Sequence, residues 1–251
     1  MIVLGMTGPI GHGKTTLAHA LADMESSTVH FESSMIIAEV ANALQAVLTD
    51  LPDPYNVAQL NNWFRALPAI LADVVHVHTT YDKIKLEQSA MEEHPIEYQK
   101  LLLHVENLHR KPELLKQKIT PDTKESYRPF LQWLGGYLAQ RIDSGIWYNE
   151  IARRIKQASS AGAQLCIVGG LRYPTDAAIL RGVGAIIVMV YRPGHLQSDL
   201  LDPTERERQN IQVDCTVMSN GTVADVKEFA NKFYEDLKNN KLQPTYHTVT
   251  I

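Results

Sequence analysis

Residues 2–7 form an apolar run that passes directly into a glycine-rich stretch, and behind it Leu17, Ala18, Leu21 and Ala22 fall at helical spacing. That order predicts a strand, a loop and a helix. A second short strand is expected over residues 28–31. From residue 33, Ile36, Val40, Leu44 and Leu48 recur every four positions, the repeat of one helix face, and Pro52 and Pro54 end it. Residues 51–127 carry no strand pattern. Val57, Leu60, Phe64, Leu67, Leu71 and Val74 alternate in threes and fours, as do Tyr98, Leu101, Val105 and Leu108. A helical insertion, kinked or broken at Pro68, is therefore expected, with the polar residues 118–127 as the linker back to the body.

Helices follow over residues 129–141 (Leu131, Leu134, Leu138) and 147–158 (Trp147, Ile151, Ile155). Apolar strands at 164–168 and 185–190 alternate with a helix after Pro174. A polar stretch, 192–214, precedes a last strand at 215–218 and a closing helix at 223–237 with Val226, Ala230 and Phe233 inward. Short apolar strands separated by helices imply a parallel sheet covered on both faces. The expected fold class is α/β with a five-stranded parallel sheet: a core over residues 1–50 and 128–251, a helical insertion over 51–127 and a small lid at about 192–214.

Composition narrows the function. At 251 residues, 45% hydrophobic and 21% charged, the chain has the apolar content of a folded protein. A net charge of -4 and a pI near 6.2 lack the basic excess of a protein that holds nucleic acid by counterion release. Cys166 and Cys215 each sit in an apolar run, which argues against a disulfide scaffold or a cysteine-rich zinc site and fits a reducing compartment. No apolar stretch approaches the ~20 residues of a membrane span, and the N-terminus has no basic leader, so a soluble, cytoplasmic protein is expected. His76 with His78, and His104 with His109, are spaced so that they do not converge on a helix, and are read as ordinary helix residues.

Gly8-Pro9-Ile10-Gly11-His12-Gly13-Lys14-Thr15 matches G-x-x-x-x-G-K-[ST] between the first strand and the first helix. Glycines at these positions let backbone amides turn inward on phosphate oxygens at a helix N-terminus. Lys14 is expected on the β- and γ-phosphates and the Thr15 hydroxyl on Mg2+. The expected nucleotide ligands are Gly8, Gly11, His12, Gly13, Lys14, Thr15 and Thr16. An N-K-x-D guanine signature is lacking, and the helical insertion stands where a substrate-binding domain would, so a kinase is favoured over a GTPase.

Two further segments carry a resemblance. Arg128-Pro-Phe-Leu131-Gln132-Trp-Leu-Gly135, followed by Arg141 and Trp147, resembles the R-x-x-L-Q-x-x-G...R...W stretch of bacteriophage deoxynucleoside monophosphate kinases, a branch of the adenylate-kinase-like P-loop kinases. Asn220-Gly221-Thr222 is similar to the turn that lies against the ATP base in that family. The resemblance runs discontinuously from residue 1 to about 237 and leaves the insertion unmatched. It implies ATP and Mg2+ as cofactors and transfer of the γ-phosphate to a deoxynucleoside 5'-monophosphate, a small-molecule partner, in the cytoplasm of a host cell. A dianionic acceptor needs guanidinium groups, for which Arg128 and Arg141 are candidates, and Gln132, on the same helix face as Arg128, offers a base edge both donor and acceptor. The bland reading of both arginines is an exposed helix face, and Trp147 is read as a core anchor.

Gly169-Gly170-Leu171-Arg172-Tyr173-Pro174 resembles the family's D-V-R-F-P segment, with Gly170 where the acid is expected. Glu32 and Asp176 are the nearest carboxylates for the metal shell, and Arg172 is placed near the transferred phosphate. Arg192, Arg206 and Arg208 would bring positive charge over the phosphates from a lid, or Arg206 and Arg208 simply belong to a solvated helix start. Glu32, ending the second strand, fits a general base for a hydroxyl acceptor, or a helix cap. Two alternatives therefore stand. One is a kinase for a nucleoside hydroxyl or a 5-hydroxymethylpyrimidine, even within phage DNA, the only reading with a nucleic-acid partner. The other is a P-loop ATPase or nucleotide-binding regulator. The sequence leaves a homodimer open.

Overall fold

The structure, a computed structural model, describes residues 1–47, 51–79, 81, 95–195 and 203–249. The helices are α1 (Lys14–Ala22), α2 (Ser33–Val47), α3 (Val57–His78), α4 (Pro95–Arg110), α5 (Arg128–Arg141), α6 (Ile146–Ser160), α7 (Pro174–Arg181), α8 (Pro203–Arg208) and α9 (Val223–Lys238). The strands are β1 (Ile2–Thr7), β2 (Thr28–Glu32), β3 (Leu165–Gly169), β4 (Ile186–Tyr191), β5 (Cys215–Met218) and β6 (Thr245–His247). The chain divides into two compact units, residues 1–33 with 151–251 and residues 34–150.

The first unit is built on the sheet, ordered β2-β3-β1-β4-β5-β6, with every neighbouring pair parallel. One face points Leu4, Met6, Leu165, Ile167, Val188, Val190 and Val217 at Leu17 and Leu21 of α1 and at Phe229 and Phe233 of α9, and these two helices pack on each other. The other face is equally closed: a Cβ at Gly5 would lie 2.8 Å from Ile187 Cδ1 and 3.1 Å from Leu180 Cδ1 of α7. Burial on both sides is why these strands read as continuous apolar runs. β1 lies between β3 and β4, and its connection leads to β2 on one side while that of β3 leads to β4 on the other. In open α/β sheets ligands bind beyond the strand C-termini at such a divergence.

The sheet has six strands where five were expected. β6 follows Pro244 and spans only three residues, too few to show a period; its one buried residue, Tyr246, packs its ring on Phe229 and Phe233 at centroid distances of 5.7 and 5.0 Å. The other strands fall within a residue or two of the expected positions.

The second unit is helical. Its interior takes Ile36, Val40 and Leu44 from α2, Phe64, Leu67 and Leu71 from α3, Leu101 and Val105 from α4, and Phe130, Leu134 and Leu138 from α5. Leu48, the last position of the expected α2 face, lies outside the described residues. α3 is continuous through Pro68, which is buried on its apolar face, so of the expected kink or break the break does not occur: burying that face outweighs one lost backbone bond. Residues 118–127 are not a loose linker. Ile119 exchanges two hydrogen bonds with the Asn42 amide at 2.8 and 3.0 Å, and the Tyr127 hydroxyl donates to the Leu114 carbonyl at 2.7 Å. Gln45 donates to the carbonyls of Leu114 and Leu115. These bonds join α2 to the helical unit, which spans residues 34–150, beyond 51–127 at both ends. No described helix is long and apolar enough to cross a membrane.

Candidate functional site

The loop between β1 and α1 has the backbone its glycines allow. Gly8, Gly11 and Gly13 have φ of 134°, 80° and 93°, where side chains are strained. Gly13 is the N-cap of α1, so no side chain caps that helix, and its first turn holds no acid. The early amides of α1 thus keep a positive pole without a counter-charge of its own sequence. The Lys14 ammonium folds back across the loop and donates to the carbonyls of Gly8 and Pro9, each at 2.6 Å. Thr15 is exposed and Thr16 half-buried in the first turn.

The C-terminal ends of β4 and β5 hold this loop in place. A Cβ at Gly8 would fall 2.2 Å from the Val190 carbonyl oxygen, and one at Gly13 2.9 Å from Ser219 Oγ. His12 is fully buried, and its Nδ1 accepts the Arg192 N–H at 2.9 Å. Its ring meets those of Tyr191 and His195 at 5.2 Å each. The His12 side chain is therefore a brace between the loop and the strand-end segment that begins at Arg192, a role the motif alone does not assign. His195, whose Nε2 lies 2.9 Å from where a Gly11 Cβ would be, and Ser219 are site residues that sequence reasoning missed. Neither belongs to a motif, and only the parallel pairing of β1, β4 and β5 brings them to the loop.

On the other side of β1, the tip of β3 carries no acid. Gly170 has φ of 78° with open space around the missing Cβ, so backbone conformation favours glycine there. Asp176 is committed elsewhere: its Oδ2 accepts the amides of Arg172 and Tyr173 at 3.1 and 3.0 Å at the start of α7. Burial pushes its carboxyl up to about 6, against the pull of those two amides. The Arg172 side chain is exposed. Glu32 pairs in register with Gly169, and its Oε1 lies 3.0 Å from where a Gly169 Cβ would be. His30 Nε2 stands 3.9 Å from the same oxygen. Burial lowers the His30 pKa, with the Glu32 charge opposing.

The Asn220-Gly221-Thr222 turn also starts α9. Thr222 is its N-cap in a capping box with Asp225: the Asp225 amide donates to Thr222 Oγ1 at 3.3 Å, and Asp225 Oδ2 accepts the Thr222 amide at 2.6 Å. These bonds hold the Asp225 carboxyl below its ordinary range. Asn220 is exposed and Gly221 half-buried, and a Cβ at Gly221 would lie 2.7 Å from Asp225 Cβ. Of the expected lid, residues 196–202 lie outside the described residues. Arg192 and Arg206 are exposed, and Arg208 is buried.

Arg128, Gln132 and Arg141 belong to the helical unit. α5 turns Phe130, Trp133, Leu134, Tyr137 and Leu138 inward, leaving Arg128 and Gln132 exposed on one outer face. The Arg128 guanidinium pairs with Glu125 at 3.1 Å. So exposed a pair is worth little, and an anion displaces it at low cost. Arg141 lies at the far end of the helix, its guanidinium 5.8 Å from the centre of the Tyr137 ring. The two arginines are 13 residues apart on one continuous helix, roughly 20 Å along its axis and over a third of a turn around it. They do not converge on one phosphate. Trp147 is buried and its indole N–H donates to the Gly135 carbonyl at 3.0 Å, the anchoring role its place in the sequence suggested. His104 is buried against Phe130, and His109 Nε2 is 2.9 Å from the Pro52 carbonyl oxygen.

No family model matches the chain. A curated relative, an uncharacterized protein (ORF77) of Ictalurid herpesvirus 1 (strain Auburn), is 28% identical over 118 residues, which are 45% of this chain and 50% of the relative. The chain thus spans about half the length of the curated relative it matches.

Proposed function

We propose that this chain is a nucleotide-dependent phosphotransferase that uses ATP and Mg2+, and that its acceptor is a deoxynucleoside 5'-monophosphate. The observation that carries the donor half is the loop itself. Three left-handed glycines stand at the end of β1, where the connections diverge, ahead of an uncapped helix and with Lys14 Nζ curled over the loop. Such a loop is a cradle for phosphate. Lys14 exchanges the carbonyls of Gly8 and Pro9 for phosphate oxygens, and the early α1 amides donate to the same group. The exposed Thr15 hydroxyl is a hard oxygen donor of the kind magnesium takes, so these residues fit a magnesium–nucleotide complex. When bound, magnesium would offset charge on the β- and γ-phosphates. Exposed Arg192 and Arg206 add cationic charge near the transferred group.

The acceptor half rests on the resemblance to bacteriophage deoxynucleoside monophosphate kinases and on the exposed Arg128–Gln132 face. Arg128 is the acceptor-phosphate ligand in this reading. Arg141, at the opposite end of α5, would serve another part of the substrate or none. A second reading, transfer to a hydroxyl, draws on the Glu32 carboxylate at the end of β2. Incubation with γ-labelled ATP, Mg2+ and a panel of deoxynucleoside monophosphates, nucleosides and hydroxymethylated DNA tests both. Label in a nucleoside diphosphate supports the first, and label on a nucleoside or on DNA supports the second. ATP hydrolysis without any labelled acceptor would overturn both.

A further inference from the structure

We infer that Glu32 supplies the carboxylate for the divalent cation of the bound nucleotide, in the place that the tip of β3 leaves without one. This rests on the phosphotransferase reading and concerns which residue completes its metal shell. A magnesium–nucleotide site built on such a loop takes the loop's hydroxyl and an acid at a neighbouring strand end. Here the end of β3 offers Gly169 and Gly170, and Asp176 is turned to the α7 amides. Glu32 is the carboxylate one strand further out, and strand geometry sets its direction.

In the parallel pairing of β2 with β3, Thr28, His30 and Glu32 stand opposite Leu165, Ile167 and Gly169. Leu165 and Ile167 face the cluster that holds Leu17 and Leu21 of α1. Since alternate residues share a face, Glu32 is on the α1 side of the sheet, the side where α1 packs over β3. The carboxylate does not stay over its own strand. Its Oε1 reaches to 3.0 Å from where a Gly169 Cβ would be, so the acid leans into the space the glycine leaves at the end of β3, with His30 Nε2 of its own strand 3.9 Å away. The end of β3 lies beside β1, whose loop leads to the helix start that carries Thr15. A glutamate, one methylene longer than aspartate, reaches further from β2 toward the place an acid on β3 would hold.

The test measures binding, not turnover. Affinity for ATP is measured by calorimetry in EDTA and in Mg2+, and Mn2+ binding to the ATP complex by electron paramagnetic resonance. The proteins are wild type, Glu32→Gln, Glu32→Asp and Gly169→Ala, with circular dichroism to check folding. Glu32→Gln should keep its metal-free ATP affinity and lose about ten- to a hundred-fold in Mn2+ affinity. Glu32→Asp should fall between the two. Gly169→Ala keeps the carboxylate, but its methyl would stand 3.0 Å from Glu32 Oε1 and displace it, so it should show the same metal-specific loss and covers the case of a misfolded Glu32 variant. Unchanged Mn2+ affinity in both Glu32→Gln and Gly169→Ala overturns the assignment. So does a Glu32→Gln protein that holds Mn2+ normally yet no longer labels a hydroxyl acceptor, which makes Glu32 that acceptor's base. Wild type that binds no ATP at all instead overturns the nucleotide reading beneath it.

Discussion

His104 gives the helical unit a stability that should fall on acidification, and replacing it by phenylalanine should remove that dependence. The imidazole is 2% exposed, stacked on the Phe130 ring at 4.3 Å with the planes 5° apart, and its Nδ1 is buried with no hydrogen-bond partner among the described residues. Burial drives its pKa from 6.5 down to about 4. The folded pKa is depressed, so the unfolded chain takes up the proton first. Stability from the neutral ring is complete above the unfolded pKa and is lost as the pH falls toward the folded one. The full loss is about 3 kcal/mol, and roughly 2 kcal/mol of it should appear between about pH 7 and about pH 5. Tryptophans 63, 133 and 147 all lie in the helical unit, so their fluorescence during urea unfolding reports that unit. Asp176 titrates with the opposite sign, its raised pKa adding stability on acidification, but it belongs to the sheet unit. His104→Phe keeps the stack on Phe130 and cannot be protonated. Parallel pH profiles for the wild type and the variant would refute the reasoning.

Lys14→Ala should abolish phosphoryl transfer and leave the circular dichroism spectrum unchanged, because the ammonium lies over the loop, bonded to the carbonyls of Gly8 and Pro9, and carries none of the sheet core; near-wild-type turnover would remove the loop's assignment. Gly8→Ala puts a methyl 2.2 Å from the Val190 carbonyl at a φ of 134°, and the loop must shift: ATP binding by calorimetry should fall below detection while the chain stays folded. Arg128→Ala should raise the KM for the acceptor and lower kcat with the KM for ATP unchanged; a weakened ATP site instead would move this arginine to the donor side. Tyr246→Ala removes the ring packed on Phe229 and Phe233 and should cost about 3 kcal/mol or more in denaturation followed by circular dichroism, whereas a smaller loss than about 1 kcal/mol would mean that β6 adds little to the sheet.

Much of this protein was legible locally. Strands buried on both faces declare themselves as apolar runs, helices by their period, and the loop between β1 and α1 by glycines at fixed spacing, because each of these signals depends only on residues near one another in sequence. The five longer strands and the helix positions needed nothing more. What the sequence withheld depends on contacts between distant segments. β6 is a strand because β5 offers an open edge and because Tyr246 finds Phe229 and Phe233; three residues have no period to read. Pro68 predicts a kink or a break, and the helix does not break because the apolar face of α3 is worth more buried than one backbone bond. Residues 118–127 look like a linker until Asn42, 77 positions away, is seen to hold Ile119 within the segment. Arg128 and Arg141 are both candidates for the acceptor phosphate from the resemblance and the acceptor's charge, and helix geometry parts them. Glu32 and Gly169 are 137 residues apart, and only the pairing of β2 with β3 shows that the acid leans into the space of the glycine's missing side chain. Period and motif are properties of short chain segments, whereas register and steric exclusion arise only when segments meet.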